Sequence, residues 1–277
     1  ANVNAGDRMV LVERYTSWTC GPCASNNPTM DAFLNSVDYD RIVGIAYHMN
    51  WPAPGNDGYY LYNPVDNTSR RNFYGVNAIP AGFMDGVISI PLPYNTGALN
   101  SYLNTRSALL SPITIVVTDS TFGDSVMVRA RIYCEVMLAS PNMNVHFSMQ
   151  DRHNHSSSPP GTNGETDFYD VMRRMNNNGL GQNILILPGQ TVVIEKRFYK
   201  DPIWNQPEVF PMVFVQQGNE ILNAAKKTAN YTLIPTSSYQ SVQQGQSGNA
   251  TYQLSIPVVA NAYNSAVNLT SEVIPST

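Results

Sequence analysis

The sequence predicts two structural classes in one chain, an α/β region followed by an all-β region. In the N-terminal part, apolar runs that are typical of buried strands alternate with segments of helical periodicity. From residue 112 onwards the chain carries β-branched and alternating runs separated by turn residues, with hardly any helical periodicity. The 277 residues also exceed the usual size of one domain. We therefore predict an α/β domain over residues 1–111 and a β-sandwich over residues 112–234.

The α/β region is predicted to run in the order strand, helix, strand, hairpin and closing helix. Residues 9–15 form a nearly continuous apolar run, which is typical of a parallel strand covered on both faces. A helix over residues 23–36 follows, because Met30, Phe33 and Leu34 recur at helical spacing. The remaining predicted elements are a strand at 41–48, an irregular insertion at 50–67, a short helix at 67–74, a hairpin at 83–90 and a helix at 96–110.

The all-β region is predicted from five strand-like runs, at residues 113–118, 125–136, 144–150, 191–199 and 209–217. Their alternation suits an antiparallel sandwich, in which Cys134 would be a buried and unpaired thiol. Residues 149–182 are rich in Gly, Pro and Asn, which predicts a long loop with one helical turn at 168–175. The tail at 235–277 is too short for a core of its own, so we predict a linker and the start of a further β module or docking strands.

Composition and charge narrow the class of partners. The net charge is −4 and no basic cluster is present, which argues against a nucleic-acid partner. No stretch approaches the roughly 20 apolar residues that a membrane helix requires, so no transmembrane segment is predicted. Charged residues make up 13% of the chain, whereas soluble proteins average about 25%, and no lysine precedes Lys196. This composition predicts an exported protein.

Cys20 and Cys23 form a C-x-x-C pair, which in proteins serves as half of a zinc site or as a redox pair. Zinc would need two further ligands, and the candidates Cys134, His153 and His155 lie in the other predicted domain. The pair instead follows a strand and opens a helix, where unpaired N–H groups and the helix dipole stabilise a thiolate at Cys20. We therefore predict a redox pair, with no metal and no other cofactor.

Two segments resemble the active site of thioredoxins. Residues 18–23 (WTCGPC) are similar to the redox-active segment, and residues 74–86, with YGVNAIP followed by FMDG, are similar to the segment that bears the cis-proline. The resemblance implies that Pro80 is that cis-proline and that Ile79 offers its backbone to an incoming peptide. The spacing between the segments is longer than in thioredoxins, which places the insertion at 50–67 beside the site. The predicted substrate-binding residues are Trp18, Gly21, Pro22, Ile79 and Pro80.

One departure from the thioredoxin pattern concerns the buried acid beneath the disulfide. Counting back from Cys20, that place falls on Arg14. If Thr19 is a one-residue insertion, Glu13 takes the place instead. We therefore predict Glu13 to be a poorly solvated acid near Cys23 that accepts the Cys23 proton when the mixed disulfide is resolved.

Residues 8–230 resemble the Omp28-related outer-membrane proteins of Bacteroidetes-type bacteria. The features that carry the resemblance are the redox segment, His48, His155, Arg173 and the segments at 213–216 and 222–225. It implies a thioredoxin-like α/β domain followed by an immunoglobulin-like sandwich. It also implies an exported protein that is periplasmic, outer-membrane-associated or secreted, with cell-surface attachment through a C-terminal module.

Three histidines have both a structural and a functional interpretation. His48 ends a parallel strand, where ligand sites of α/β sheets lie, and we favour a hydrogen-bonded structural histidine over a catalytic one. His153 and His155 form a pair without an identified third ligand, so we favour a polar loop over a metal site.

The sequence leaves two functions open. The favoured one is an enzyme, an exported thiol–disulfide oxidoreductase that acts through Cys20 and Cys23 on protein or peptide thiols and disulfides. The alternative is a non-catalytic surface module for binding or assembly, in which the same two cysteines form a structural disulfide.

Overall fold

The computed structural model describes residues 6–38, 40–138, 140–205 and 208–227, together with the short strands Ile234–Pro235 and Leu254–Ser255. Residues Ala1–Thr228 form one compact unit, and Ala229–Thr277 form a second. Strands account for 44% of the structure and helices for 22%. Most of the tail predicted at 235–277 lies outside the described residues.

Strand β1 (Val10–Thr16) and strand β2 (Ile42–His48) form a parallel pair. Every residue of both strands is buried, which explains the apolar runs in the sequence. Helix α1 (Gly21–Ser36) runs between them, and its N-cap is Cys20. The strands and the helix that the sequence predicts in this segment are therefore confirmed.

The segment 50–67, predicted to be irregular, contains helix α2 (Gly58–Tyr62) and the beginning of helix α3 (Pro64–Tyr74). The side chains of Asp57 and Asn63 accept hydrogen bonds from the first backbone N–H groups of α2 and α3, so each helix has an N-cap. The next elements are strand β3 (Ala81–Met84), strand β4 (Ile88–Ser89) and helix α4 (Thr96–Ser107). No helix in the described part of the chain is long and apolar enough to cross a membrane.

The rest of the first unit consists almost entirely of strands, namely β5 (Ile113–Phe122), β6 (Ser125–Cys134), β7 (Asn142–His155), β8 (Asp167–Met175), β9 (Gln182–Leu185), β10 (Thr191–Tyr199), β11 (Val209–Gln217) and β12 (Glu220–Lys226). The loop predicted at 149–182 is wrong, because β7 continues to His155 and β8 replaces the predicted helical turn. Polar residues are tolerated in these strands because they form pairs with polar residues of the neighbouring strand. Arg173 of β8 forms a buried ion pair with Asp151 of β7 at 2.6 Å.

Nine strands form one mixed sheet. Its order is β12-β11-β7-β8-β2-β1-β3-β4, and β9 pairs with β7. Strand β8 lies parallel to β2, with Ala46 opposite Val171. Strands β10, β6 and β5 form a separate three-stranded antiparallel sheet. The main sheet therefore crosses the domain boundary predicted at residue 111.

The predicted fold class, an α/β thioredoxin-like domain followed by a separate immunoglobulin-like sandwich, is wrong. The structure is mostly β, and the N-terminal strands share their sheet with β7, β8, β11 and β12. The physical reason lies at the outer edge of β2, which would otherwise expose unpaired backbone N–H and C=O groups. Strand β8 pairs with this edge. Because β8 and β2 are far apart in the sequence, no local periodicity predicts that they pair.

The apolar core is also shared. One cluster of buried side chains contains both Leu11 of β1 and Phe214 of β11. A second cluster contains buried side chains of both the three-stranded sheet and the main sheet, among them Val128 of β6 and Phe147 of β7. Cys134 belongs to this second cluster and is buried and unpaired, as predicted.

Buried polar contacts hold β12 against the N-terminal segment. Arg8 Nη1 donates to the carbonyl oxygen of Ile221 at 2.8 Å. The side chain of Asn223 accepts from the backbone N–H of Met9 at 2.9 Å and donates to the carbonyl oxygen of Asp7 at 3.1 Å. Because a buried polar group that loses its partner costs about 1–3 kcal/mol, these contacts disfavour separation of the two halves.

We expect the first unit to unfold as one cooperative body. Phe214→Ala removes a fully buried ring from the shared core, and such truncations cost about 3–5 kcal/mol. The urea midpoint should be lowered. Unfolding should remain a single transition, with the same midpoint by tryptophan fluorescence and by circular dichroism. The matched control is Phe122→Ala, because the Phe122 side chain is 60% exposed and its removal should change stability by less than about 0.5 kcal/mol. Two separate transitions would contradict the shared core.

Candidate disulfide site

The disulfide lies where β1 leads into α1. Cys20 Sγ accepts a hydrogen bond from the backbone N–H of Cys23 at 3.1 Å, and the two cysteines form a disulfide. At the N-terminus of a helix, unpaired N–H groups and the positive end of the dipole stabilise a thiolate once the disulfide is reduced. Gly21 and Pro22 lie between the cysteines and are exposed. The chain therefore presents Cys20 as the sulfur better placed to be a thiolate.

Ile79 and Pro80 border the disulfide on a second side. The Ile79–Pro80 peptide bond is cis, which confirms the prediction. The carbonyl oxygen of Ile79 lies 3.7 Å from Cys20 Sγ. Pro80 is buried and Ile79 is partly exposed. The fold thus brings Ile79 next to Cys20, although the two residues are far apart in the sequence.

The β7–β8 loop (residues 156–166) lies against the turn that carries the disulfide. Both cysteines are buried, with 1% of Cys20 and 0% of Cys23 exposed. The backbone N–H of Asn163 donates to the carbonyl oxygen of Trp18 at 3.1 Å. The side-chain amide of Asn163 donates to the carbonyl oxygen of Cys20 at 3.3 Å. The loop is thus hydrogen-bonded to the turn that carries the predicted attacking sulfur.

Gly161 lets this loop approach so closely. A methyl group at this position would collide with the carbonyl oxygen and the indole ring of Trp18. The indole also packs against Tyr59 of α2 and Phe168 of β8, with ring centroids 5.8 Å and 6.4 Å away. Trp18, which the sequence predicts to bind substrate, is therefore largely enclosed by the protein itself.

Asp57 connects the segment at 50–67 to the site. Its Oδ2 accepts from the backbone N–H of Trp18 at 2.9 Å and lies 2.9 Å from His48 Nδ1. Burial disfavours the charged carboxylate, but the His48 imidazole and the hydrogen bonds that Asp57 accepts outweigh burial and lower the pKa of Asp57. His48 thus has the hydrogen-bond partner that a structural histidine needs.

Glu13, the predicted proton acceptor, is fully buried but lies on the other face of the sheet. Strand alternation places it beside Leu11 and Tyr15, whereas α1 packs on the face of Val12. Arg70 of α3 donates to Glu13 Oε1 from Nε at 3.1 Å and from Nη2 at 2.7 Å. The structure therefore holds Glu13 in an ion pair and does not bring it between β1 and α1.

Arg14 takes the position between β1 and α1. Its side chain is 3% exposed and forms an ion pair with Asp31 of α1. Its Nη2 also donates to the carbonyl oxygen of Tyr169 in β8 at 2.7 Å. A buried cation requires such partners, so this space holds a paired charge where a thioredoxin-like pattern places an acid.

Asn163 and Glu165 belong to the site although the sequence did not single them out. Asn27 of α1 donates from Nδ2 to Glu165 Oε1 at 2.7 Å, and the side-chain amide of Asn163 donates to the other Glu165 oxygen. These two residues lie in a polar segment of the sequence, and no motif or spacing there predicts that they belong to a site. Hydrogen bonds between the β7–β8 loop and the turn before α1, two segments far apart in the sequence, hold them at the site.

His153 and His155 converge on one carboxylate oxygen, with His153 Nε2 and His155 Nδ1 lying 2.8 Å and 2.9 Å from Asp167 Oδ1. The hydrogen bonds from His155 and then His153 lower the pKa of Asp167 to about 2. Among the described residues, no group of three or more His, Cys, Asp or Glu side chains could hold a metal ion.

The fold is shared with a solved structure. No protein-family model matches the chain, and no curated protein matches it. HBP35 of Porphyromonas gingivalis is similar with a TM-score of 0.67 and 15% identity, over 91% of this chain and 86% of that chain. A domain of the outer membrane lipoprotein Omp28 from the same organism has a TM-score of 0.31 and 13% identity, over 44% of this chain and 91% of that domain. The likeness to HBP35 shows the fold.

We expect Gly161→Ala to expose the disulfide. Overpacking against Trp18 costs about 1–3 kcal/mol, and ~1.4 kcal/mol corresponds to a tenfold change in the open population of the loop. Reduction of the disulfide by dithiothreitol, followed by quenched alkylation and mass spectrometry, should therefore be ~10-fold faster. The control is Gly97→Ala in α4, where only the side chain of Asn95 is near. An unchanged rate for Gly161→Ala would show that the loop does not restrict access.

Proposed function

We propose that this protein is an exported thiol–disulfide oxidoreductase that acts on protein or peptide disulfides. Cys20 is the attacking thiol and Cys23 the resolving one. The substrate chain lies along Ile79 and Pro80, next to the exposed Gly21.

The observation that carries the proposal is the position of Cys20 Sγ at the N-terminus of α1. The backbone N–H of Cys23 points at this sulfur from 3.1 Å. A charge on Cys20 is stabilised there by hydrogen bonding and by the helix dipole, which favours attack at neutral pH. Cys23 lies inside the first turn of the helix, beyond the N-cap position that Cys20 occupies, so it suits the second, intramolecular step.

In the reducing direction, the Cys20 thiolate attacks one sulfur of the substrate disulfide. That disulfide breaks, and its other sulfur leaves as a thiolate that takes a proton from water. The Cys23 thiol then loses its proton and attacks Cys20 Sγ, which releases the second substrate sulfur. The substrate gains the two electrons that the Cys20–Cys23 dithiol loses, and the reverse steps oxidise a substrate dithiol.

Two features bear on where and on what the protein acts. A disulfide persists in oxidising compartments, which supports export together with the low charge content of the chain. The loop over Trp18 and Cys20 must move before a large substrate reaches the sulfur. Exchange therefore depends on local opening of residues 156–166, and flexible peptides are favoured over rigid folded surfaces.

The second candidate function is a non-catalytic surface module with a structural disulfide. The burial of both cysteines favours it, since structural disulfides are typically enclosed and resistant to reduction. An assay of insulin reduction by dithiothreitol separates the candidates. Acceleration by catalytic amounts of the protein supports the oxidoreductase, and no acceleration supports the module.

We expect the two cysteines to differ in a trapping experiment. With Cys134→Ser as background, Cys23→Ser should accumulate a mixed disulfide with an oxidised peptide through Cys20, because no thiol remains to resolve it. Cys20→Ser should trap none, because the N-cap position whose N–H group stabilises a thiolate is that of Cys20 and not of Cys23. Non-reducing electrophoresis and mass spectrometry of the adduct give the readout. Equal trapping by both variants would refute the assignment of Cys20.

A further inference from the structure

The carboxylate of Glu165 lies at the N-terminal end of α1 although it comes from the β7–β8 loop. Asn27 Nδ2 donates to its Oε1 at 2.7 Å, and Asn27 is one helical turn beyond Cys23. The side-chain amide of Asn163 donates to its other oxygen and also to the carbonyl oxygen of Cys20 at 3.3 Å. A single amide group thus stands between Glu165 and the backbone of Cys20.

Glu165 differs from Glu13 in the kind of partner it has. Glu13 is bound by the cation of Arg70, whereas both hydrogen-bond donors found for Glu165 are neutral amides. Among the described residues no Lys, Arg or His lies within ion-pair distance of Glu165. Burial raises the pKa of Glu165, and the amide hydrogen bonds and the more distant His48 offset only part of the effect. A partly buried carboxylate without a counter-ion takes up a proton when negative charge appears nearby.

The other charged groups around Glu165 already have partners. Arg14 of β1 is paired with Asp31 of α1. His48 of β2 is paired with Asp57. On the hairpin itself, Asp167 is bound by two histidines, His153 and His155. Glu165 is thus the group on this side of the helix that is best able to change its charge.

We propose that Glu165 is a positioning residue of the disulfide site that takes up one of the two protons accompanying reduction. This proposal rests on the function proposed above for Cys20 and Cys23. A dithiol reductant supplies two electrons and two protons and is itself oxidised to a disulfide. The Cys20–Cys23 bond breaks, one proton goes to Cys23 and the other to Glu165, and Cys20 remains a thiolate. Glu165 acts through charge and through Asn163 rather than by contact with substrate.

The test compares Glu165→Gln with Asp167→Asn, which removes the same charge from the same hairpin at a 40% exposed side chain. In the reduced full-length protein, the pH dependence of the Cys20 alkylation rate is followed by mass spectrometry. In the wild type the Glu165 proton leaves only above the pH at which Cys20 ionises, and the charge that then appears makes the thiolate more nucleophilic, which gives a second rise in rate. Glu165→Gln should lose this second rise, whereas Asp167→Asn should keep it.

A second readout counts protons. Reduction by dithiothreitol near neutral pH should release no net proton from the wild type, because Glu165 takes up the proton that Cys20 does not keep. Glu165→Gln should release about one proton per disulfide. Indicator absorbance in weak buffer measures the difference.

A second rise in rate that persists in Glu165→Gln, together with an equal proton count, would overturn the proposal, and so would loss of that rise in Asp167→Asn. If Glu165→Gln does not fold, Glu165→Asp keeps the charge and should retain the wild-type proton count, whereas loss of that count would also overturn it. The readouts do not depend on activity. A wild type without exchange activity but with a proton count that depends on Glu165 would refute the proposed function while supporting the role of Glu165.

Discussion

The parallel pairing of β8 with β2 is the constraint on which the rest of the structure depends. Through Ala46 and Val171 it joins the N-terminal strands to the strands of the second half and makes one sheet of them. In this fold the β7–β8 loop lies against the turn between β1 and α1, where Asn163 is hydrogen-bonded to Trp18 and Cys20. The same sheet brings Phe214 into the shared core and Asn223 to the backbone of Met9.

This arrangement makes the disulfide site a product of both halves of the chain. In the proposed function, the turn at Cys20 supplies the attacking sulfur, and the N-terminus of α1 stabilises its thiolate. The β7–β8 loop brings Gly161 and Asn163 against this turn and adds an acid, Glu165. Under that proposal, access to the sulfur and the uptake of protons depend on a segment that is distant in sequence from the cysteines.

The sequence predicts correctly what depends on local chemistry. Buried strands at β1 and β2, the helix after Cys20, the cis bond at Pro80 and the buried thiol of Cys134 were all accessible from periodicity or from resemblance. What it misses depends on pairing between distant segments. Glu13 could not be assigned from spacing, because Arg70, which binds it, comes from another element. Polar strands such as β8 resembled a loop because their charges are satisfied only across the hairpin, as Arg173 is by Asp151.

The reduction potential of the Cys20–Cys23 couple distinguishes an exchange site from a structural disulfide. The protein would be equilibrated in defined mixtures of reduced and oxidised dithiothreitol or glutathione, and its redox state would be read by alkylation and mass spectrometry. Because the N-terminus of α1 stabilises the reduced thiolate, we expect a potential within the range of catalytic pairs, about −270 to −120 mV. A value below about −300 mV, as structural disulfides show, would contradict it.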